Sequence, residues 1–346
     1  MFSVRINVLK TIKKILVIKL RDIGDIVLST PVLSVLDHNC AAPEIVYVVK
    51  KEYENFKYIL PYVREVITYD KNDPFDFIRL VIKLRKHNFD LCVNLHATFR
   101  SALLALLSGA KFRLVHNHSG KDFFTSVPLG IIEGPKSIIE RDLDTLNPLK
   151  LDPIPVEMKK TVLKLNEEYT RYIDDEEVWL TVGLGIGARR DNKMWMKEGF
   201  IEVGKKLAAD GYKIAIFCSK DEQGTGEIVK AGIGDKAKLY CGLDFLRLAF
   251  FINKLRLFIG NDSGLRHIAA ALKVKTLTLF GPENPVEWHP YSLEDGHVKI
   301  SHLPEFANEG VDISSKNFRI KSTAAMERIT PFEVYTAARN LLQQKQ

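Results

Sequence analysis

The stretch that decides the fold is FIGNDSGLRHIAAALKVKTLTLFG, residues 258–281. The apolar run at residues 256–260 predicts a buried strand, the alanine-rich run Leu265–Leu272 predicts a helix, and Lys275–Phe280 predicts a further strand. Small residues at 261–264 form a tight turn, where a ligand can approach the backbone. The stretch is therefore typical of an α/β fold with a ligand site at the start of a helix.

This turn has two interpretations. A helix that begins there points unpaired backbone N–H groups and the positive end of its dipole at the turn, which is a common way to bind phosphate. The alternative is that Asp262 or Ser263 only caps the helix, a contribution of about 1 kcal/mol. The turn alone leaves both open.

Length and composition bound the fold and the partners. The chain has 346 residues, of which 46% are hydrophobic and 27% charged, so two domains with separate cores are expected. The formal net charge of +7 suits anionic partners such as nucleotides, phosphorylated glycolipids, phospholipid surfaces or nucleic acid. The basic residues are scattered, so the charge does not choose among them.

Four cysteines, at positions 40, 92, 218 and 241, are far apart and form no Cys-x-x-Cys pair. They predict neither a zinc site nor a disulfide framework, and buried thiols in a reducing compartment are expected. No run of about 18 apolar residues is long enough for a membrane span. The N-terminal residues 1–14 lack the apolar core of a signal peptide, so we expect a solvated extension. The alternative is that their alternating apolar and basic residues contact an anionic membrane surface.

The first half predicts a parallel sheet. The aliphatic run Ile15–Leu20 is typical of a strand covered on both faces, and a turn at Gly24 and a helix follow it, as in a doubly wound fold. No G-x-G-x-x-G is present, which disfavours a dinucleotide-dependent oxidoreductase. Further strands are predicted at Glu44–Val49, Glu65–Tyr69, Asp90–Leu95 and Phe112–Val115, and helices at Phe75–His87 and Arg100–Leu107.

Asp25 is the candidate catalytic residue of this half. A carboxylate just beyond the first strand lies at the rim where open α/β sheets bind ligands, and there it could act as a general base toward a hydroxyl. The alternative is that Asp22 or Asp25 caps the next helix. Arg100 follows the fourth strand on the same rim, where it could pair with an acidic acceptor or be a surface cation.

A second α/β series follows a predicted linker, which includes Leu151–Val156 and the charged stretch Lys159–Glu177. Two such halves predict a cleft between two sets of strand ends. Strands of the second half are predicted at Val178–Leu184, Tyr212–Phe217, Ala237–Tyr240, Arg256–Ile259 and Lys275–Phe280, and helices at Lys197–Asp210 and Asp244–Ile252.

The first strand of the second half leads into the basic loop GLGIGARRDNKMW, residues 183–195. Its glycines permit close approach of a ligand, and Arg189, Arg190 and Lys193 supply positive charge, with Lys193 as the candidate diphosphate partner. Glu222, after the next strand, could accept hydrogen bonds from ribose hydroxyls. The alternative for these residues is solvated surface charge.

Three stretches together resemble glycosyltransferase family 9, the ADP-heptose:lipopolysaccharide heptosyltransferases. They are ILVIKLRDIGDIVLSTPVL (15–33), GARRDNKMW (187–195) and GNDSGLRHIAAALKVKTLTLFGPENP (260–285). The resemblance implies the GT-B architecture of two Rossmann-like domains facing each other across a cleft. Residues 1–165 would bind the acceptor and residues 166–330 the donor, while a helix in residues 331–346 would pack back on the N-terminal domain.

The implied reaction is inverting transfer of heptose from ADP-heptose to the inner core of lipopolysaccharide, on a lipid A–Kdo glycolipid. The resemblance implies no cofactor, no protein-bound metal and no nucleic-acid partner. It also implies a cytoplasmic enzyme in transient contact with the inner face of the inner membrane.

The same resemblance assigns roles to individual residues. Asp25 matches the catalytic base, while Lys193 and the backbone of Ser263–Leu265 match the diphosphate site. Arg100 is the candidate acceptor-binding residue from its position after the fourth strand alone. A lysine and a helix N-terminus can stabilise the charge that develops on departing ADP. The full set of predicted donor-binding residues, taken from the resemblance and from the turn and loop residues themselves, is Gly24, Arg189, Lys193, Glu222, Asp262, Ser263, Gly264, Leu265 and His267.

Two departures from the family pattern leave the donor open. Ala188 and Arg189 stand where small hydroxyl residues are common, and Arg266 stands where a small or apolar residue is common. One alternative is a transferase of the same fold with another activated sugar or acceptor. The other is a nucleotide- or nucleic-acid-binding protein without transferase activity, although the sequence contains no nucleic-acid-binding motif.

Overall fold

The computed structural model describes residues 9–96, 98–116, 122–127, 134–166 and 181–344. The chain folds into two compact units, Met1–Lys164 and Leu165–Gln346. Each unit contains its own sheet, in which every strand pairing is parallel. The predicted α/β class is confirmed.

The first unit has a five-stranded sheet in the order β3-β2-β1-β4-β5. Residues Ile15–Ile18 of β1 are fully buried at its centre, as expected for a strand covered by helices on both faces. The strands are Lys14–Ile18 (β1), Glu44–Lys50 (β2), Val63–Tyr69 (β3), Leu91–Asn94 (β4) and Phe112–Val115 (β5). The helices are Ile23–Leu28 (α1), Thr30–Asn39 (α2), Asp76–Arg85 (α3), Phe99–Leu107 (α4) and Ile138–Asp144 (α5).

The second unit has a six-stranded sheet in the order β11-β10-β9-β6-β7-β8. Its strands are Thr181–Gly185 (β6), Lys213–Cys218 (β7), Ala237–Cys241 (β8), Leu257–Asn261 (β9), Lys275–Phe280 (β10) and His297–Ser301 (β11). Its longer helices are Lys197–Ala209 (α6), Gln223–Ile233 (α7), Phe245–Asn253 (α8) and Gly264–Ala271 (α9). Shorter helices Pro285–Trp288 (α10), Leu303–Asn308 (α11), Lys316–Lys321 (α12) and Ala324–Glu327 (α13) precede the last one, Pro331–Gln343 (α14).

Both sheets have a topological switch point, on either side of which successive strands are added toward opposite edges of the sheet. It lies between β1 and β4 in the first unit and between β6 and β9 in the second. Ligands of doubly wound sheets bind beyond the strand ends at this point. The loops after these four strands are therefore the ones that the fold positions for function.

Helix α14 buries its apolar face in its own unit. A capping box of Thr330 and Glu333 begins it, and its packing partners include α6, β9 and β10. Val334, Ala338, Leu341 and Leu342 place its apolar stripe in the core of the second unit. The expectation that this helix packs back on the N-terminal domain stays a prediction.

Lys275 fastens the last turn of α14. Its Nζ donates to the carbonyl oxygens of Leu341 and Gln344 at 3.0 and 2.8 Å. These carbonyls lie at the end of the helix, where backbone acceptors have no partner within the helix itself. The strand β10 and the end of α14 are thereby joined.

The predicted elements agree with the structure to within a few residues at most boundaries. Parts of two predictions, the linker Lys159–Glu177 and the strand Val178–Leu184, lie outside the described residues, as do residues 1–8. Of the helices in the described segments, none combines the length and the apolar character that crossing a membrane requires.

Candidate functional site

The turn after β9 presents a serine hydroxyl whose hydrogen-bonding capacity is unused. Ser263 occupies the N-cap position of α9 in an extended conformation, but its side chain accepts no hydrogen bond from the helix. Its Oγ is buried and has no partner among the residues that the structure describes. The interpretation that the Ser263 side chain caps the helix is therefore wrong. A buried hydroxyl beside the first N–H groups of a helix is suited to an anionic ligand.

Asn261 holds the two switch-point loops of this unit together. It ends β9 and is fully buried. Its Oδ1 accepts a hydrogen bond from the backbone N–H of Trp195 at 3.0 Å, and its Nδ2 donates to the carbonyl oxygen of Ile186 at 2.8 Å. The basic loop after β6 and the turn after β9 are consequently fixed side by side.

A buried ion-pair cluster lies between these loops. Lys193 Nζ contacts Asp262 Oδ2 at 2.7 Å, and Arg266 donates to Asp262 Oδ1 from Nε at 3.0 Å and from Nη2 at 2.6 Å. Burial opposes ionisation of Asp262, but the charges of Arg266 and Lys193 outweigh it and hold the pKa of this carboxyl below its usual value. Asp262 is therefore a carboxylate, and it orients both cations.

Arg266 is the least expected member of this cluster. Its side chain is 1% exposed, it donates to the Trp288 carbonyl oxygen at 2.7 Å, and its guanidinium lies 5.0 Å from the centre of the Phe280 ring. Its Nη1 has no partner in the described part of the chain. The sequence marked this residue as a departure from the family pattern but did not predict that it is buried.

A second carboxylate, Glu283, extends the cluster and was missed by the sequence analysis. It is 7% exposed and accepts from Arg190 and from Arg319, the latter at 3.1 Å, and its Oε1 lies 3.8 Å from Lys193 Nζ. The four cations Lys193, Arg190, Arg266 and Arg319 thus surround two carboxylates. Such an excess of positive charge favours an anionic ligand.

A cavity of ≈ 930 Å³ opens beside the turn. Its volume is within the usual range for small-molecule sites. Apolar and aromatic residues line one part of it, among them Phe217 and Tyr240, whose rings stack with centres 5.5 Å apart. Of the predicted site residues, the lining includes Arg189, Glu222, Ser263 and Leu265.

Glu222 is held in place at this cavity. Its Oε2 accepts from the backbone N–H and the hydroxyl of Ser219 at 2.9 and 2.8 Å. Its carboxylate lies so close to Gly187 that a Cβ at that position would collide with it. Any larger residue at position 187 would therefore have to displace the Glu222 carboxylate from its present place.

His267, one turn into α9, faces away from this lining. Its Nδ1 lies 2.6 Å from the hydroxyl oxygen of Tyr291. Burial, together with the charge of Arg266, holds the pKa of His267 well below its usual value, so the imidazole is neutral at pH 7. Burial and Arg266 likewise lower the pKa of His289 to about 3.

In the first unit, Asp25 lies in the first turn of α1, after β1. It is half-buried, and burial raises its pKa above the ordinary value. Asp22 occupies the N-cap position, but its Oδ1 accepts from Lys50 Nζ at 2.6 Å rather than from the helix. Arg100, exposed in the first turn of α4, donates to the Tyr69 hydroxyl at 3.2 Å. Asp25 and Arg100 follow β1 and β4, the two strands of the switch point.

The predicted donor-binding residues thus fall into four groups. Arg189, Glu222, Ser263 and Leu265 line the cavity, Gly264 begins α9, and Lys193, Asp262 and His267 form the polar layer beside it. Gly24 belongs to the first unit, next to Asp25. Within the described ranges, no group of three or more His, Cys, Asp or Glu side chains could hold a metal ion.

A family model for glycosyltransferase family 9 (heptosyltransferase) matches residues 77–312, more than half of the chain. The chain belongs to glycosyltransferase family 9. The resemblance found in the sequence is confirmed, and with it the expectation that the protein is a glycosyltransferase.

Relatives agree with this family. Lipopolysaccharide heptosyltransferase 3 of Escherichia coli K12 is 29% identical over 293 residues, covering 78% of this chain and 83% of its own. A family 9 glycosyltransferase from Veillonella parvula has a TM-score of 0.78 at 22% identity, with 96% and 98% of the two chains covered. The E. coli heptosyltransferase WaaC with ADP gives 0.75 at 14% identity, with 95% and 99% covered. These structures support the GT-B fold.

Proposed function

We propose that this enzyme transfers heptose from ADP-heptose to a hydroxyl of the inner core of lipopolysaccharide, with inversion at the anomeric carbon. The observation that carries the proposal is the Ser263 hydroxyl at the start of α9, which has no partner among the described residues and lies between a nucleotide-sized cavity and the Lys193 cluster. The E. coli relative named a lipopolysaccharide heptosyltransferase and the WaaC structure with ADP support this donor and pathway.

The donor half of the reaction uses the second unit. The adenosine of ADP-heptose would occupy the cavity beside Phe217 and Tyr240, with Glu222 accepting from the ribose hydroxyls. The diphosphate would accept hydrogen bonds from the Ser263 hydroxyl and the first N–H groups of α9. Arg266 remains paired with the Asp262 carboxylate through two hydrogen bonds. Lys193 can therefore turn toward the diphosphate without leaving a buried carboxylate unpaired.

The acceptor half uses the first unit. Asp25 would take the proton of the acceptor hydroxyl as its oxygen attacks the anomeric carbon, and the bond to ADP breaks with its electrons leaving on the diphosphate. A single displacement of this kind inverts the anomeric centre. Arg100 would bind an anionic group of a lipid A–Kdo acceptor, and the net charge of +7 favours work at an anionic membrane surface.

Lys193→Ala is expected to weaken ADP binding by about 10–100-fold, because charge-assisted hydrogen bonds are worth about 1.5–3 kcal/mol. Isothermal titration calorimetry with ADP measures this. The matched control is Lys197→Ala, since Lys197 lies four residues further on and its side chain is 44% exposed. An affinity of Lys193→Ala equal to that of the control would show that Lys193 does not bind ADP and only pairs with Asp262.

Transfer is expected to proceed without a divalent metal ion and to be specific for a donor that carries ADP. With ADP-heptose and a truncated core glycolipid, ADP release should proceed at the same rate in excess EDTA as in Mg²⁺. With UDP- or GDP-activated sugars, release of UDP or GDP should not exceed the rate of spontaneous hydrolysis. Loss of activity in EDTA would overturn the metal-independent mechanism. A preference for another activated sugar would keep the fold and chemistry but replace the donor.

A further inference from the structure

A buried ion pair lies beside the helix that carries Asp25. Lys19 follows β1, and its Nζ contacts both carboxylate oxygens of Asp142 on α5, at 2.9 and 2.6 Å. Each side chain is only 3% exposed. Helix α5 packs against α1, the helix whose first turn contains Asp25.

Stability does not explain such a pair well. Removing a lysine and an aspartate from water costs about as much as their attraction returns, and apolar residues of similar size often serve a core equally well. Charged groups buried next to a rim carboxylate are instead typical of functional sites. Lys19 interrupts an otherwise apolar run, ILVIKL at residues 15–20, which is where an apolar side chain would be expected.

We infer that Lys19 and Asp142 are a positioning pair, which sets how readily Asp25 ionises. The inference rests on the proposed role of Asp25 as general base. A low pKa keeps a general base ionised at neutral pH, whereas a high pKa makes it a better proton acceptor, so the two demands oppose each other. Lys19 favours the carboxylate form of Asp25, while Asp142 neutralises part of the field of Lys19. The pair thus supplies a positive charge of moderated strength.

The electrostatics around Asp25 agree with this division. Burial raises the pKa of Asp25, and Lys19 and then Arg21 oppose the rise, while Asp22 adds to it. Asp142 faces Asp25 from α5 and Tyr47 faces it from β2, where the Tyr47 hydroxyl lies 2.7 Å from Ser29 Oγ. Burial raises the pKa of Asp142 to about 6, although Lys19 opposes this.

The test is the acid limb of the pH dependence of kcat/KM, measured for Lys19→Met and Asp142→Asn. Lys19→Met removes the cation, so the pKa of Asp25 rises and the limb should move up by about 1 pH unit. Asp142→Asn leaves Lys19 uncompensated, so the limb should move down by a similar amount. A purely structural pair would lower activity in both variants and leave the two limbs where they are in the unchanged enzyme, which would overturn the inference.

A second readout does not depend on activity. The ¹³C carboxyl resonance of Asp25, assigned by its loss in Asp25→Asn, should titrate higher in Lys19→Met and lower in Asp142→Asn. The double variant Lys19→Met/Asp142→Leu has no unpaired buried charge and keeps the test valid should a single variant unfold. It should titrate higher, as Lys19→Met does.

The two readouts separate the inference from the proposed function. If Asp25 titrates alike in every folded variant, the inference is wrong whatever the role of Asp25. If the pKa of Asp25 shifts up in Lys19→Met and down in Asp142→Asn while the acid limbs of kcat/KM stay in place, the pair controls Asp25 but Asp25 is not the base.

Discussion

Asp25→Asn is expected to lower kcat by about 10²–10⁴-fold, which is the usual contribution of a positioned general base. Asparagine keeps the size of the side chain and cannot take up the proton of the acceptor hydroxyl. ADP affinity should stay unchanged, because the proposed nucleotide contacts lie in the second unit. Single-turnover transfer and calorimetry with ADP measure the two quantities on the same preparation.

The control for this variant is Asp22→Asn, three residues earlier. Asp22 is bound to Lys50 at 2.6 Å, so its replacement should cost far less activity than that of Asp25. Wild-type transfer by Asp25→Asn would remove Asp25 from the mechanism. Equal losses in the two variants would mean that the turn matters through its structure and not through one base.

Arg266→Met is expected to lower the free energy of unfolding by about 3 kcal/mol at pH 7. The substitution removes the guanidinium that donates twice to Asp262 Oδ1, deep in the second unit. The effect should lie at the low end of the range for broken buried pairs, because Lys193 remains on Oδ2. Urea unfolding followed by circular dichroism measures the loss.

The pH dependence of this effect has a definite sign. Arg266 and Lys193 lower the pKa of Asp262 in the folded state, so the ionised carboxylate stabilises the fold above its unfolded pKa of about 3.9. This contribution is lost as the pH falls, and the difference between the variant and the wild type should shrink below pH 4.

Two controls separate charge from packing. Arg266→Met/Asp262→Asn removes both charges and should recover most of the lost stability. Arg339→Met removes a half-exposed arginine whose nearest carboxylate, on Asp210, is 3.9 Å away, and it should change stability by less than about 0.5 kcal/mol. A double variant as unstable as Arg266→Met would show that packing, rather than the unpaired carboxylate, causes the loss.

Local pattern was enough to predict the elements and the ligand turn. The strands at Phe112–Val115 and Lys275–Phe280 have the predicted bounds, because short segments rich in apolar and β-branched residues, bounded by turn residues, leave few alternatives. A tight turn was predicted at residues 261–264, because small residues lie there between a strand and a helix. In the structure Asn261 still belongs to β9, and Gly264 already begins α9. The hydroxyl of Ser263 could be placed next to a helix N-terminus from sequence, but its lack of a partner could not.

Contacts between distant residues were not predictable in this way. Glu283 meets Arg190 and Arg319, which are 93 and 36 residues away, and no local pattern encodes such a pairing. The helix in residues 331–346 was expected from the resemblance alone, and the surface that its apolar side chains cover depends on the whole second unit. A buried charge could have been predicted at Lys19, because this lysine stands inside an apolar run that forms a buried strand and its end.

The most direct measurement is mass spectrometry of a truncated core glycolipid after incubation with the enzyme and ADP-heptose, with Asp25→Asn in parallel. We predict that the wild-type product gains the mass of one heptose residue and that the variant gives almost none in the same time. An unchanged glycolipid mass with a wild-type protein that binds ADP would contradict the assignment of heptosyl transfer to this chain.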